Sequence, residues 1–189
     1  MEKLKIKTHA FVYPMPMTLV GAIVEDKPNF MPVGWVSRVN FKPPLIALGM
    51  GNSHHTNVGI HANEQFSVNV PSVEMLEAVD YMGLVTGKKV DKSGVFELFY
   101  GELEYAPMVK ACPVTMACKL VNVVEFATNT LFIGEIIEAY TEAQYLTDGK
   151  PDIEKIKPFT LTMPDNRYWT VGEYVGRAWG SGKDFEAQG

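Results

Sequence analysis

Short apolar segments separated by turns dominate the first fifty residues. Residues 17–24 are apolar and partly β-branched, and the polar cluster 25–29 that follows is typical of a turn. The pattern therefore predicts a hairpin whose second strand runs from 30 to 41. A Lys-Pro-Pro sequence at 42–44 ends that strand, because proline cannot donate a hydrogen bond to a sheet. The apolar run 45–50 is typical of a short strand buried on both faces.

Two short helices interrupt this strand pattern. Ser53 follows a Gly-Asn turn, and it predicts the N-cap of a helix over 54–63. Residues 65–70 alternate between apolar and polar side chains, which predicts another strand. A Pro-Ser pair then introduces a second helix from Val73 to about Met82, since proline and an early acidic residue favour a helix start.

The second half of the chain predicts one long hairpin, with strands over 114–126 and 130–140. Alternation places six apolar residues of the first strand on one face: Val114, Met116, Cys118, Leu120, Val124 and Phe126. Its other face carries Thr115, Lys119 and Glu125. A turn-rich connector over 145–158 precedes an aromatic tail. Many short strands with two helices predict a mainly β fold, a Greek-key-like barrel with short capping helices, since barrel closure removes exposed edges.

Length and composition exclude several classes of protein. A chain of 189 residues is expected to form one domain, 1–189, and its 47% hydrophobic content excludes a disordered chain. The 17 basic and 22 acidic residues give a net charge of −5. Proteins that bind nucleic acid through its phosphates usually carry the opposite balance, so no nucleic-acid partner is expected.

The sequence also predicts no membrane or export segment. No run of about 18 uncharged apolar residues is present. The opening residues 1–7 alternate charged and apolar side chains and lead to no apolar signal core. Two cysteines are too few for a disulfide framework. We therefore expect an intracellular, cytoplasmic protein.

Cysteine and histidine chemistry is not favoured. Cys112 and Cys118 lie six residues apart, which in one strand places both on the same face and about 20 Å apart, beyond the reach of a disulfide. Both are expected to be small buried apolar side chains. The four histidines have no carboxylate or cysteine partners at suitable spacing, so no metal site is expected. No hydrolytic motif is present either.

The turn Asn52–Asn57 is the most informative candidate site. A turn that leads into a helix leaves backbone N–H groups free at the positive end of the helix dipole, which favours an anion. The hydroxyl groups of Ser53 and Thr56 and a ring nitrogen of His55 can add donors to a phosphate. An ordinary helix cap with solvated histidines is the alternative interpretation.

Three other features carry less information on their own. In the segment 32–37, a glycine next to a tryptophan lets a flat group approach the backbone, although most strand glycines only mark bulges. Lys88, Lys89 and Lys92 lie in a loop with nearby glycines, where lysines are usually solvated. The aromatic tail from Tyr168 onward is typical of core or dimer packing.

Taken in order, these motifs resemble the flavin reductase-like family, which has the FMN-binding split-barrel fold. The stretches that carry the likeness cover most of the chain from Pro14 to Lys183: PMPMTLVGAIVEDKPNFMPVGWVSRVNFKPPLIALGMGNSHHTNVGIHANEQFSVNVPS, TGKKVDKSGVF, LFIGEIIEA and RYWTVGEYVGRAWGSGK. Within the family, the sequence resembles flavoredoxins most.

The resemblance implies an FMN-bound homodimer. It implies that the flavin ring packs against the strand Pro32, Val33, Gly34, Trp35 and Ser37, and that the phosphate lies at Asn52, Ser53, His55 and Thr56 with the basic residue Lys92 of an Asp-Lys motif. It also implies that Tyr168 and its neighbour Trp169 lie near the ring or at the dimer contact. No catalytic side chain is required, because the flavin itself carries the chemistry.

Three functions stay open at this point. An FMN electron carrier of flavoredoxin type would exchange electrons with a ferredoxin-like protein or a reductase. An NAD(P)H:flavin oxidoreductase would be an enzyme that supplies reduced flavin. Many flavin reductases have Asp-His before the Phe-Ile-Gly-Glu strand, whereas this chain has Asn129-Thr130-Leu131, which favours the carrier. A barrel that binds another ligand without redox chemistry is the third.

Overall fold

A computed structural model describes residues 2–183 and 185–186 of the chain. Its strands are β1 Met15–Pro16, β2 Thr18–Val24, β3 Lys27–Val33, β4 Val36–Asn40, β5 Leu45–Gly51, β6 Gln65–Val70, β7 Leu98–Phe99, β8 Met108–Val109, β9 Val114–Glu125, β10 Asn129–Thr141, β11 Leu146–Thr147, β12 Lys150–Pro151, β13 Phe159–Thr162 and β14 Arg167–Thr170. Its helices are α1 His55–Asn63, α2 Leu76–Leu84 and α3 Ile153–Ile156, with single 3₁₀ turns at Val73–Met75 and Ala143–Tyr145. The ends of the expected domain, residues 1, 184 and 187–189, lie outside the described residues.

Seven antiparallel strands form the main sheet, in the order β3-β2-β6-β9-β10-β5-β4. Its two edge strands follow each other in the chain, since β3 ends at Val33 and β4 begins at Val36. Three peptide units span at most about 11 Å, whereas the edges of a flat seven-stranded sheet would be about 29 Å apart. The sheet must therefore curl into a barrel that is split between β3 and β4. The predicted mainly β barrel with short helices is confirmed.

The interior of this barrel is filled from almost every strand. Eleven buried residues form its main cluster: Val20, Ala22, Val33, Ile46, Leu48, Met50, Ile60, Phe66, Val68, Cys118 and Phe132. Strands β2, β5 and β6 occupy nearly the residues that the apolar patterns predicted. Ile60 of α1 contributes to the same cluster, so that helix is held against one end of the barrel.

The helix α1 begins one residue later than predicted, and Ser53 is not its N-cap. That position belongs to His54, whose side chain makes no capping hydrogen bond. The turn is closed by the backbone instead, because the N–H of His54 donates to the Gly51 carbonyl at 3.1 Å. The Ser53 hydroxyl is thus not used by the helix.

The predicted strand over 30–41 is wrong in its extent. The turn after β2 consists of only Glu25 and Asp26, both with positive φ, so pairing already begins at Lys27. The strand then stops at Val33, and a new strand on the opposite edge of the sheet begins at Val36. Gly34 and Trp35 connect the two, so they lie at the split of the barrel.

The predicted faces of β9 are correct only up to a bulge. Leu120 pairs with Gly134 and Asn122 with Ile133, so Val121 is the extra residue. One extra residue exchanges the two faces of a strand, and beyond the bulge it is Val123 that packs against the core. Val124 and Phe126, expected inside, are exposed by 36% and 58%.

Two further expectations for this region need correction. Thr115 was expected on a polar face, but it is buried, because β8 crosses that face and its Met108 packs on Ala117. Cys112 precedes β9 rather than lying in it, and it belongs to a different core cluster from Cys118. Both cysteines are free and buried, and burial raises the pKa of each thiol to about 12.

A second, small sheet joins the start of the described chain to its tail. Strand β13 pairs with both β1 and β14, and the connector before it contains the β11–β12 hairpin and the single-turn helix α3. Within the described part of the chain, helices long and apolar enough to cross a membrane are absent.

Candidate functional site

A polar cavity of about 400 Å³ lies at the N-terminus of α1. Its walls come from three places: the turn into α1, the edge strand β3, and the segment from the end of α2 to Lys92. Ser53, His55 and Thr56 of the predicted anion site all line it. The first N–H groups of an α-helix have no acceptor within the helix, so this wall of the cavity carries a partial positive charge.

Lys92 reaches this cavity from inside the fold. The residue is only 4% exposed, and its Nζ donates to the Phe30 carbonyl at 3.0 Å and the Met82 carbonyl at 2.7 Å. Burial lowers the pKa of the Lys92 ammonium. Among the described residues it has no carboxylate within ion-pair distance. A buried cation without a counter-charge is costly, and here it lines a cavity into which an anion can enter.

Hydrogen bonds hold the turn before α1 in place. Asn29 is buried on β3, and its Nδ2 donates to the Thr56 hydroxyl at 2.7 Å. The Asn52 amide donates to the Phe126 carbonyl at 3.0 Å and accepts from the Thr130 hydroxyl at 3.0 Å. Asn52 thus ties the turn to the β9–β10 turn, and it faces a neighbouring cavity rather than this one.

Two histidines complete the polar cavity. Burial, and secondly the positive charge of Lys92, lower the pKa of His54. Both effects favour a neutral imidazole there, so His54 does not compete with Lys92 as a charge. The Nδ1 atom of His55 is buried and has no hydrogen-bond partner. Gly87 packs on His55 and Asn29, where any side chain would overlap theirs.

A second cavity, about 670 Å³ and largely apolar, lies on the outer face of β4 and β5. Gly34, Trp35 and Ser37 line it from the split of the barrel, and Ala47 and Gly49 form its floor. The two cavities are neighbours, since Pro32 lines the first and Gly34 lines the second only two residues later.

Trp35 is fixed against this floor by its neighbour on β5. The N–H of Gly49 donates to the Trp35 carbonyl at 2.8 Å. A Cβ on residue 49 would lie 3.3 Å from the Trp35 side chain, so only glycine lets the indole pack this closely. The indole is still 45% exposed, which leaves one face available to a flat ligand.

Comparison with known proteins agrees with the motif resemblance. The sequence matches the family described as "flavin reductase like domain" over residues 10–167, which is most of the chain. The chain belongs to the flavin reductase-like family.

Solved structures of this family superpose on nearly the whole chain. Flavoredoxin from Methanosarcina acetivorans is 56% identical, covers 97% of this chain and 98% of its own, and has a TM-score of 0.95. Flavoredoxin of Desulfovibrio vulgaris (Miyazaki F) is 32% identical, covers 95% of this chain and 100% of its own, and has a TM-score of 0.86. An FMN-binding protein from Thermus thermophilus, 21% identical over 94% of this chain and 98% of its own, shares the fold with a TM-score of 0.78.

The flavin reductase-like chain brings most of its predicted site residues to these two cavities. Pro32, Ser53, His55, Thr56 and Lys92 line the polar cavity, and Gly34, Trp35 and Ser37 line the apolar one. The assignment of these residues to a cofactor stays a prediction.

Three predicted residues lie elsewhere. Asn52 faces the neighbouring cavity, and the Val33 side chain is in the barrel core. Tyr168 lines neither main cavity: its hydroxyl donates to Asp80 at 2.7 Å and its ring packs on Phe159. Burial and the hydrogen bond to Asp80 raise the pKa of Tyr168 to about 12.

Several residues of the cavities escaped the sequence-based predictions. Asn29 had been assigned to a turn, although a lone asparagine between apolar residues of a strand is a signal for a buried hydrogen bond. Phe11 lines the apolar cavity from a segment without regular structure, and no local pattern indicates this position. In the described part of the chain, no three metal-ligating side chains lie close enough together to hold a metal ion.

Proposed function

We propose that this protein is an FMN-binding redox protein of the flavoredoxin type, which carries electrons between a protein donor and a protein acceptor. The observation that carries the proposal is Lys92, a buried ammonium group whose two hydrogen-bond acceptors are both neutral carbonyls. It lines a cavity at a helix N-terminus, where a phosphate supplies the missing negative charge. The similarity to two flavoredoxins supports FMN as the source of that phosphate.

The residues of the polar cavity fit a phosphate group. Ser53, Thr56 and Lys92 offer hydroxyl and ammonium donors, and the start of α1 adds backbone N–H groups. No acidic side chain lines this cavity to oppose a phosphate. His55 adds a ring nitrogen to this set of donors.

The residues of the apolar cavity fit a flavin ring. Strand residues from Pro32 to Ser37 pass from one cavity to the other, so a ligand with a phosphate at one end and a ring at the other can contact both. Gly49 lets the Trp35 side chain pack closely on β5, and the exposed part of the Trp35 indole provides an aromatic surface for a flat group.

Bound FMN supplies the electron chemistry, and the chain supplies its binding and its surroundings. The apolar walls around Trp35 would keep water from one side of a bound ring, and the chain from Gly34 to Ser37 would hold its edge. We infer no catalytic acid or base, because the apolar cavity contains no titratable side chain.

A second candidate is an NAD(P)H-dependent flavin reductase, an enzyme of the same family. The observation in its favour is the apolar cavity, whose 670 Å³ lies in the range that holds a whole drug-sized ligand. A barrel that binds another ligand without redox chemistry is the remaining alternative.

We also infer a single domain that acts as a homodimer in the cytoplasm and meets a redox protein, ferredoxin-like or a reductase, at its surface. The support for self-association is a series of closely spaced apolar side chains that are exposed in the single chain and that a partner copy would cover: Val171, Tyr174, Val175, Trp179 and Phe185. Light scattering during gel filtration tests the dimer, and a stop codon at position 171 is expected to shift it toward monomer.

An anaerobic visible spectrum of the purified protein, recorded before and after NADH or NADPH is added, tests the function. A flavin spectrum that NAD(P)H does not bleach, but a reduced ferredoxin does, supports the carrier. Rapid bleaching by NAD(P)H supports the flavin reductase function instead of the electron-carrier function. A protein that shows no flavin spectrum even after FMN is added overturns both and leaves a barrel for another ligand.

A further inference from the structure

Residues 2–14, the N-terminal arm, have no regular secondary structure, and the last part of the arm lines the apolar cavity with Ala10, Phe11, Val12 and Pro14. The arm is attached at its C-terminal end, where the Tyr13 hydroxyl donates to the Met163 carbonyl and β1 pairs with β13. Most of its other side chains are exposed; Leu4, for example, is 86% exposed. Phe11 differs, because it turns inward and is partly buried.

Phe11 meets the exposed indole of Trp35 rather than the core. The two ring centroids are 6.3 Å apart and the planes are inclined by 44°. Phe11 belongs to none of the hydrophobic clusters of the described interior. Its position is therefore not explained by packing of the barrel, whereas both rings line the same apolar cavity.

The arm supplies one side of that cavity and the barrel supplies the other. Ala10, Phe11 and Val12 of the arm line it together with Trp35, Gly49 and Leu131 of the barrel. The floor on β5 consists of small residues, so the aromatic surface of the cavity comes from Phe11 and Trp35. Aromatic pairs of this kind favour a flat, π-rich ligand.

We propose that Phe11 of the N-terminal arm is a binding residue of the ring subsite, where it and Trp35 form one aromatic wall that contacts a planar flavin ring and limits the access of solvent to it. This inference rests on the proposed FMN function. It adds to that function a residue outside the family motifs, which begin at Pro14, and it gives the arm the role of a cover over the ring.

The first experiment needs no flavin. In a W169F/W179F background, which leaves Trp35 as the single tryptophan, acrylamide quenching of fluorescence is measured for Phe11→Ala and for the control Ile6→Ala. Ile6 is 74% exposed and does not line the cavity. About a twofold rise in the quenching constant for Phe11→Ala alone is expected, because an aromatic neighbour shields the indole. Equal quenching in both variants and the parent would show that Phe11 does not cover Trp35, and it would overturn this inference.

The second experiment measures FMN affinity and iodide quenching of bound FMN in the same variants. Phe11→Ala is expected to weaken FMN two- to tenfold, in line with the loss of one aromatic contact, and to increase iodide quenching. Phe11→Tyr is expected to restore both values. Unchanged values in Phe11→Ala, or equal losses in Ile6→Ala, overturn this inference while FMN binding by the parent protein stands. If the parent itself binds no FMN, the proposed function fails instead. The tryptophan measurement still shows whether Phe11 of the arm covers Trp35.

Discussion

The two cavities beside the split of the barrel are built by different physical means. The polar cavity is built from buried side chains whose hydrogen bonds are made within the fold, among them Lys92, Asn29 and Thr56. The apolar cavity takes part of its lining from an arm without regular structure, and its aromatic residues, Phe11 and Trp35, are partly exposed. One cavity is organised before any ligand arrives, whereas the other can adapt its outer wall.

This difference assigns separate tasks to the two ends of a ligand. A rigid, positively charged cavity selects for a phosphate, because an anion neutralises a buried charge that is costly when it is unpaired. An adaptable apolar cavity selects for a flat ring and allows it to enter and leave. Comparing FMN with riboflavin, the same flavin without the phosphate, therefore separates the two contributions in every variant below.

The largest effect is expected when the polar cavity loses two donors. Thr56→Ala combined with Lys92→Ala should weaken FMN binding by about 2–4 kcal/mol, because a charge-assisted and a neutral hydrogen bond to phosphate are lost. Riboflavin binding should change little. Fluorescence titration of both flavins measures this, with a Lys88→Ala/Lys89→Ala double variant as the exposed control. Equal losses for both flavins would show that the phosphate does not bind in this cavity.

A smaller loss, shared by both flavins, is expected from Gly49→Val in the apolar cavity. The new side chain needs the space of the Trp35 ring, since a Cβ there already lies 3.3 Å from it. Displacing the indole should weaken FMN and riboflavin alike by about tenfold, roughly 1.4 kcal/mol. Gly172→Val is the matched control, because nothing lies within 4 Å of a Cβ at that position. A loss confined to FMN would contradict the division of tasks.

The pH dependence of the FMN-to-riboflavin affinity ratio is expected to report Lys92. Burial lowers its pKa from the ordinary 10.5, so the ammonium loses its proton, and the phosphate its partner, at a lower pH than for a free lysine. The ratio should therefore be constant near neutrality and fall severalfold as the pH rises toward 10.5. The ring titrates equally in both flavins and cancels. Lys92→Arg, which stays charged, should flatten the profile; a flat profile in the parent would refute the role of Lys92.

The smallest effect is expected beside the polar cavity, in an adjoining cavity that shares Asn29, His55 and Lys92 with it. Lys27 pairs with Asp91 at 2.8 Å, and that pair, together with bonds to Ser93, lowers the pKa of the Asp91 carboxyl well below its usual range. Both partners are exposed, so the pair contributes little to the fold. Lys27→Met should change FMN affinity by less than about twofold in the same titration. A tenfold loss would show that this ion pair orients Lys92.

Local sequence patterns predicted the parts of this fold that local rules control. The strands β2, β5 and β6 and the β9–β10 hairpin follow from alternation and from turn residues. The faces of β9 beyond Val121 did not follow, because a bulge arises from pairing with β10 and leaves no mark in the sequence. The strand break at Gly34 was missed for a related reason: the chain there passes from one edge of the sheet to the other.

The candidate site shows the same division. The turn at Asn52–Asn57 was recognised from its helix-start pattern and from family motifs, and four of its residues line the polar cavity. The burial of Lys92 was not predicted from its loop, where lysine is usually solvated; it depends on carbonyls of β3 and α2 that lie far away in sequence. Phe11 depends in the same way on contact with Trp35, which only the folded chain brings near.

The split between β3 and β4 has a consequence for local opening of the barrel. In the main sheet of the described chain these two strands are the edges, whereas β6 and β9 are paired on both sides. Widening the seam breaks no backbone hydrogen bond between β3 and β4, so its free energy depends on side-chain packing, to which Val33 and Val36 contribute in the barrel core. Amide hydrogens along the seam should thus exchange with deuterium sooner than those of β6. A ligand that bridges the two edges would slow this exchange. The exchange rate of the seam amides therefore indicates whether a ligand is bound.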